Sequence, residues 1–209
     1  RQGQAHGITL ELRNRMIDAA GDRLVDLRNK ALVAVAYDTA CRRSELVAFR
    51  VRDLRAAEDG AGTVLVARSK TDQEGRGQMR YLAPDTMEHV RVWLAAACLE
   101  EGMLFRSVGK GGKAGGQLAR SGADSGAEVA RIFKTMAKAA GLKPSVVKAI
   151  SGHSARVGAA QDMAAGGIDI GAIMQAGGWK TAEMVARYTE RLSARRGAAA
   201  KLAAMQNRA

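Results

Sequence analysis

Apolar residues in this chain recur mainly at helical spacing and only briefly alternate as they do in strands. Residues Arg1 to Ile8 carry neither pattern and are expected to form a linker or arm. Thr9 is placed to cap a helix through about Ala20, with Leu10, Met16 and Ile17 on its apolar face and Gly21 closing it. From Asp22 to Ala40 the stripe Leu24, Leu27, Leu32, Val35 and Ala36 predicts a second, longer helix. A short helix is expected over Arg42 to Phe49. Arg50 to Leu54 alternates charged and apolar residues and is expected to open a strand.

Asp59 to Gly62 reads as a turn, Thr63 to Ala67 as a β-branched strand, Asp72 to Gln78 as a second turn and Met79 to Leu82 as a second strand. These make a small antiparallel sheet with Lys70 at the mouth of its hairpin. Pro84 suits the first turn of a helix to about Leu99. Ser107 to Gly126, rich in Gly, Lys and Ser, is expected to be a long loop whose glycines give flexibility. It lacks the spacing of a phosphate-binding P-loop. Helices are expected over Ala127 to Ala140, His153 to Ala165 and Ile170 to Gln175, each trailed within a few residues by glycine. Thr181 caps the helix that carries Tyr188, and an Ala-rich helix runs from about Ala198 to Met205. The inventory predicts a mainly α fold with a small antiparallel β-sheet at one edge, in a single domain over residues 1–209.

Charge changes the picture. The 209 residues carry 33 Lys and Arg against 21 Asp and Glu, a formal net charge of +12, with a pI of about 10.3. Such a surplus in a folded domain points to a polyanion, most often nucleic acid, because neutralised phosphates release counterions. Arg131, Lys134 and Lys138 share one face of a predicted helix and are candidate DNA contacts. His6, His89 and His153 are scattered, and no Cys/His cluster has metal-ligand spacing, so neither a metal site nor a cofactor is expected. Cys41 and Cys98 lie in apolar helical stretches, where thiols act as small hydrophobes in a reducing compartment. No signal peptide and no apolar run near eighteen residues is present, so a cytoplasmic, DNA-associated location is expected, with no membrane partner.

One stretch stands out chemically. His153 and Arg156 lie one helical turn apart on one face, and Tyr188 comes later, beyond Gly177, Gly178 and Trp179. An arginine fork matches paired phosphate oxygens and keeps its charge, and Arg42 is a second such candidate, one turn from Glu45. Histidine suits proton transfer near neutrality. Trp179 offers one N–H donor. Tyrosine needs help as a nucleophile, since forming phenolate at neutral pH costs about 4 kcal/mol. Tyr37, in an apolar helix, and Tyr81, in a strand, read as structural.

Taken together these residues resemble the tyrosine recombinase, or phage integrase, family. Its pattern is an arginine in a Thr-Gly-Leu-Arg-x-Ser-Glu-Leu-like stretch, a hairpin lysine, His-x-x-Arg, a histidine or tryptophan, and a tyrosine. Thr39-Ala40-Cys41-Arg42-Arg43-Ser44-Glu45-Leu46 matches the first part, and Arg68-Ser69-Lys70-Thr71 the second. Ser151 to Ala160 and Ile173 to Trp179 match the rest, ahead of Tyr188. The resemblance implies that Tyr188 attacks the scissile phosphate to give a 3′-phosphotyrosyl link. It also implies that Arg42, Arg156, His153 and Trp179 stabilise the transition state, that Glu45 supports Arg42, and that Lys70 is the general acid. The partner implied is double-stranded DNA at a specific site, bound by a homo-tetramer of the full-length protein. An N-terminal DNA-clamping domain is expected to be absent here, which leaves a monomer or weak oligomer. Residues 197–209 are expected to dock in a neighbouring copy or fold back in cis. A topoisomerase that nicks and reseals, and a regulator on the same fold without catalysis, remain as alternatives.

Overall fold

The second half of the central helix is buried on all sides, as a stretch apolar all round has to be. A computed structural model of the chain describes residues 5–67, 77–118, 122–196 and 198–208. Here α1 (Leu10–Asp18) precedes α2 (Leu24–Thr39), and Ala31 to Ala36 of α2 are each at most 3% exposed. The Thr9 hydroxyl caps α1 by accepting from the Leu12 N–H at 3.5 Å. Leu12, Met16 and Ile17 are buried, whereas Leu10, at the open end of the helix, is exposed. After α2 the chain reverses at Ala40 and enters α3 (Arg43–Leu46).

The sheet has one more strand than the expected hairpin. β1 (Leu54–Ala56), β2 (Gly62–Val66) and β3 (Gln78–Leu82) pair antiparallel in that order, Val64 opposite Arg80 and Thr63 opposite Tyr81. The face toward the core carries Val64, Val66, Arg80 and Leu82; Met79 and Tyr81 stand on the outside. Lys70 and the turn around it lie outside the described residues. Then α4 (Pro84–Ala96) begins on Pro84 and buries Trp93, whose Nε1 donates to the Leu104 carbonyl at 2.8 Å.

The expected long loop is partly strand. β4 (Arg106–Val108) and β5 (Ala114–Gln117) pair antiparallel inside it, Gly112 turning the chain at φ 70° where glycine meets no penalty. Backbone pairing needs no apolar alternation, which is why a Gly- and Lys-rich stretch conceals it. Next come α5 (Gly122–Ala139), longer at its start than expected, and a short unforeseen helix, α6 (Pro144–Ala149). The chain ends in α7 (Ser154–Ala165), α8 (Ile170–Gly177), α9 (Ala182–Arg196) and α10 (Ala198–Met205). Of the cysteines, Cys41 is buried, with its thiol pushed up to about 11 chiefly by burial, but Cys98 is exposed just past α4. The expectation that both thiols are small core hydrophobes therefore holds for Cys41 alone.

Two apolar clusters result. The larger gathers α1, α2, α4, α5 and the inner face of the sheet. The smaller holds Ala40, Ala159, Ala160, Ile173, Trp179 and Val185, with Tyr37 and Tyr188 packed against it. The described part of the N-terminal arm runs along α7: the Ile8 N–H donates to the Ser154 carbonyl at 2.8 Å, and Ile8 is fully buried. Gly158 makes room for that crossing, since a Cβ there would lie 1.9 Å from the Ile8 carbonyl oxygen.

Candidate active site

Arg42, His153, Arg156 and Trp179 sit at or near helix ends, and Tyr188 lies within a helix. Before α7, the Ser151 hydroxyl accepts from the His153 N–H at 3.2 Å, and the Ser154 hydroxyl accepts from the Ser151 N–H at 2.9 Å. This double turn starts the helix with His153 outside and Ser154, Ala155 and Arg156 inside. Asp162 on the same helix fixes its position, since its Oδ2 accepts from the Tyr37 hydroxyl and from the Leu10 N–H, each at 2.6 Å. Burial and this bond raise the Tyr37 phenol above its ordinary value, so it is a structural donor.

Arg156 is 4% exposed and reaches two helix ends at once. Its Nη1 donates to the Gly177 carbonyl at 2.6 Å, where α8 stops, and to the Ala40 carbonyl, where α2 stops. Helix C-termini carry unpaired carbonyls and the negative end of the macrodipole, so they suit a guanidinium. Burial first, and then the nearby Arg42 charge, lower its pKa to about 10. It stays a cation at neutral pH.

Arg42 caps α3 with Glu45 as its partner. Glu45 Oε2 accepts from the Arg42 N–H at 2.9 Å and Oε1 from Arg42 Nη1 at 2.8 Å. Glu45 is buried and the Arg42 side chain is 21% exposed, so the fork is held by Glu45 and part of it reaches the surface. His153 lies exposed beside these cations. Partial desolvation of its imidazole first, then the charges of Arg43, Arg156 and Arg42, hold it below the ordinary histidine value. The ring is neutral at neutral pH.

The pair Gly177-Gly178 is dictated by the tryptophan next to it. A Cβ at Gly177 would lie 1.9 Å from the Trp179 ring, and Gly178 closes α8 in the left-handed region at φ 65°. Trp179 thus folds back under Arg156, whose Cζ stands 4.1 Å from the indole centroid, a cation–π distance. Tyr188 on α9 comes next, half-buried, its ring centroid 6.2 Å from that of Trp179 at 57°. Its backbone carbonyl accepts from Gln161 Nε2 at 3.2 Å, tying α9 to α7. The buried Arg156 Nη2 and Trp179 Nε1 have no acceptor among the described residues. Two buried donors without acceptors thus belong to the group formed by Arg156, Trp179 and Tyr188.

Five of the six residues singled out for catalysis (Arg42, His153, Arg156, Trp179 and Tyr188) are described, and they converge around the smaller cluster with Glu45 behind Arg42. Lys70 lies outside the described residues. Arg131, Lys134 and Lys138 are elsewhere, on α5, where Arg131 pairs with Glu128 at 2.6 Å. Among the described residues no three His, Cys, Asp or Glu side chains gather to hold a metal ion. Two residues that pattern reading passes over belong to the surroundings: Gln161, and Arg80, buried on β3 with its guanidinium at the end of α8. Arg80 has a sequence signal, a charge in phase with Leu82 on a strand, although Met79 and Tyr81 offer the competing phase.

Comparisons with known proteins bear on the family and the fold. The family model described as "Phage integrase family" matches residues 8–195. Recombinase Cre of Escherichia phage P1 is 34% identical over 187 residues, 87% of this chain and 54% of the relative. An integrase/recombinase XerD homolog of Selenomonas ruminantium is 33% identical over 175 residues, 81% of this chain and 49% of the relative. The chain thus spans about half the length of these relatives. Among solved structures, the XerH site-specific recombinase bound to palindromic difH substrate, a post-cleavage complex, superposes with a TM-score of 0.64. It covers 92% of this chain and 52% of that one at 19% identity, which carries the fold. With its helices, its small antiparallel sheets and nine-tenths of its length matched, the chain belongs to the phage integrase family of tyrosine recombinases.

Proposed function

We propose that this chain is the catalytic domain of a site-specific DNA recombinase that breaks and rejoins strands through Tyr188. The phenolic oxygen of Tyr188 bonds to the scissile phosphorus as the P–O5′ bond breaks, leaving a 3′-phosphotyrosyl link and a 5′-hydroxyl. Lys70 supplies the proton to the departing oxygen, and the neutral imidazole of His153 takes up the phenolic proton. Arg42 and Arg156 neutralise the charge that builds on the non-bridging oxygens, with the Trp179 N–H as a further donor. The covalent link keeps the phosphodiester bond energy, so rejoining to a partner strand draws on neither metal nor nucleoside triphosphate. The observation that carries this reading is the stack of Arg156 on Trp179 with Tyr188 beside it, near enough to Arg42 for its charge to act on Arg156.

The partner is double-stranded DNA. The net charge of +12 supports this, as does the XerH relative, whose structure holds it bound to its difH substrate. No described helix is long and apolar enough to cross a membrane. In the full-length protein four copies assemble on DNA, with Arg131, Lys134 and Lys138 contacting phosphates and residues 197–209 docking in a neighbouring copy. The exposed Leu202 and Met205 of α10 support that docking. The test of the chemistry uses a pool of nicked duplexes with randomised sequence, which trap a covalent adduct when the short cleaved strand diffuses away. We expect an adduct that survives denaturant, carries a free 5′-hydroxyl on the released strand, and disappears in Tyr188→Phe. A chain that binds the pool and yields no adduct is a regulator, and the proposal fails.

A further inference from the structure

The end of α8 is held from both sides by arginines, only one of which belongs to the set above. A helix leaves its last four carbonyls without intrahelical partners, and here each can be accounted for. The Met174 carbonyl accepts from the Trp179 N–H at 2.9 Å and the Gln175 carbonyl from the Gly178 N–H at 3.3 Å. The Gly177 carbonyl takes Nη1 of Arg156 at 2.6 Å. The Ala176 carbonyl takes Nη1 of Arg80, which also reaches the Gln175 carbonyl at 2.5 Å. Arg80 is 8% exposed, and its Nη2 donates to Gln78 Oε1 at 2.7 Å, so its own strand orients the fork. Gly178 completes the fit: a Cβ there would lie 2.6 Å from Arg80 Nη2.

We propose that Arg80 is a positioning residue for strand cleavage, holding the end of α8 so that Gly177 and Trp179 meet Arg156. It touches none of the reacting groups. A buried guanidinium on a strand needs acceptors, and the last carbonyls of a neighbouring helix are the ones it has found. The consequence falls on Arg156, whose Nη1 is committed to Gly177 and Ala40 while its face rests on Trp179. If the α8 end drifts, both contacts go with it. Misplacement by about 1 Å at a phosphate clamp is enough to cost on the order of 10²-fold in rate. This inference rests on the assignment of Tyr188 and Arg156 to phosphodiester cleavage.

The test compares wild type with Arg80→Met, Arg80→Lys and Gly178→Ala by single-turnover adduct formation, DNA affinity and melting. We expect Arg80→Met to slow cleavage by about 10²-fold while DNA affinity stays within about threefold. Arg80→Lys should recover part of the rate, because it keeps the charge but not the fork. Gly178→Ala should slow cleavage by displacing the guanidinium. Cleavage by Arg80→Met at the wild-type rate, or a loss of rate explained by unfolding at the assay temperature, overturns the inference. A wild type that yields no adduct instead defeats the assignment of Tyr188. In that event quenching by acrylamide of the Trp179 fluorescence, isolated by subtracting the Trp179→Phe signal, decides on Arg80. Quenching must rise in Arg80→Met if Arg80 holds Trp179 in place, and unchanged quenching refutes it.

Discussion

His153 and Arg156 start from the same helical turn and end in opposite surroundings. Arg156 is buried among backbone carbonyls and stays charged; His153 is exposed among cations and stays neutral. Because the folded state holds the imidazole below its ordinary value, protonation works against the fold. The stability this residue allows is fully present above the ordinary histidine value and is lost as pH falls through the lower folded one. Thermal melts of wild type and His153→Gln should therefore converge near pH 8 and separate toward about pH 5, with His153→Gln losing less. A wild type that loses no more than His153→Gln on acidification would refute the shift. Among the residues, the motif Ser151 to Arg156 was legible because its chemistry is local in sequence. The role of Arg80 was not, since its acceptors lie 95 and 96 positions away.

At the level of elements, close backbone approach decides what can change. The arm crosses α7 at Gly158, where any side chain would meet the Ile8 backbone. Gly158→Ala should destabilise the chain by about 1–3 kcal/mol, read as a melting point lower by about 2–4 °C for each kcal/mol. An unchanged melt would mean that the arm does not hold its place on α7. Helices with a strong stripe or a cap were legible: Thr9 starts α1, Pro84 starts α4 and Asp22 to Ala40 holds α2. The misses have physical reasons. α6 is six residues long, too short for periodicity to register. β4 and β5 pair through a backbone that shows no alternation, and β3 turns its Met and Tyr outward and its Arg inward. Phase in so short a strand is settled by the partner that claims the arginine.

For the molecule as a whole, the matched relatives are about twice as long as the aligned part. The proposed docking of residues 197–209 is tested in the full-length protein on DNA. Deleting them should leave the melting point near wild type and abolish multi-subunit complexes in native gels and sedimentation. Assembly that survives the deletion would place the last helix in cis. The fold class, the positive charge and the order of the site residues were legible across the whole chain because each is set by composition or by motif order. How the site sits on its own apolar cluster was not, because that depends on contacts between helices far apart in sequence.

The division into two clusters has a consequence for how the molecule opens. Opening free energies within one protein follow the amount of apolar surface each part buries. The smaller cluster, three alanines with Ile173, Trp179 and Val185, has less to lose than the one around α2. The unit bearing Tyr188 is therefore expected to detach in a local fluctuation before the framework under Arg42 does. The nucleophile proposed above, mounted on the weaker unit, would leave and return without global unfolding, and backbone amides of α8 and α9 are expected to exchange with solvent ahead of those in α2.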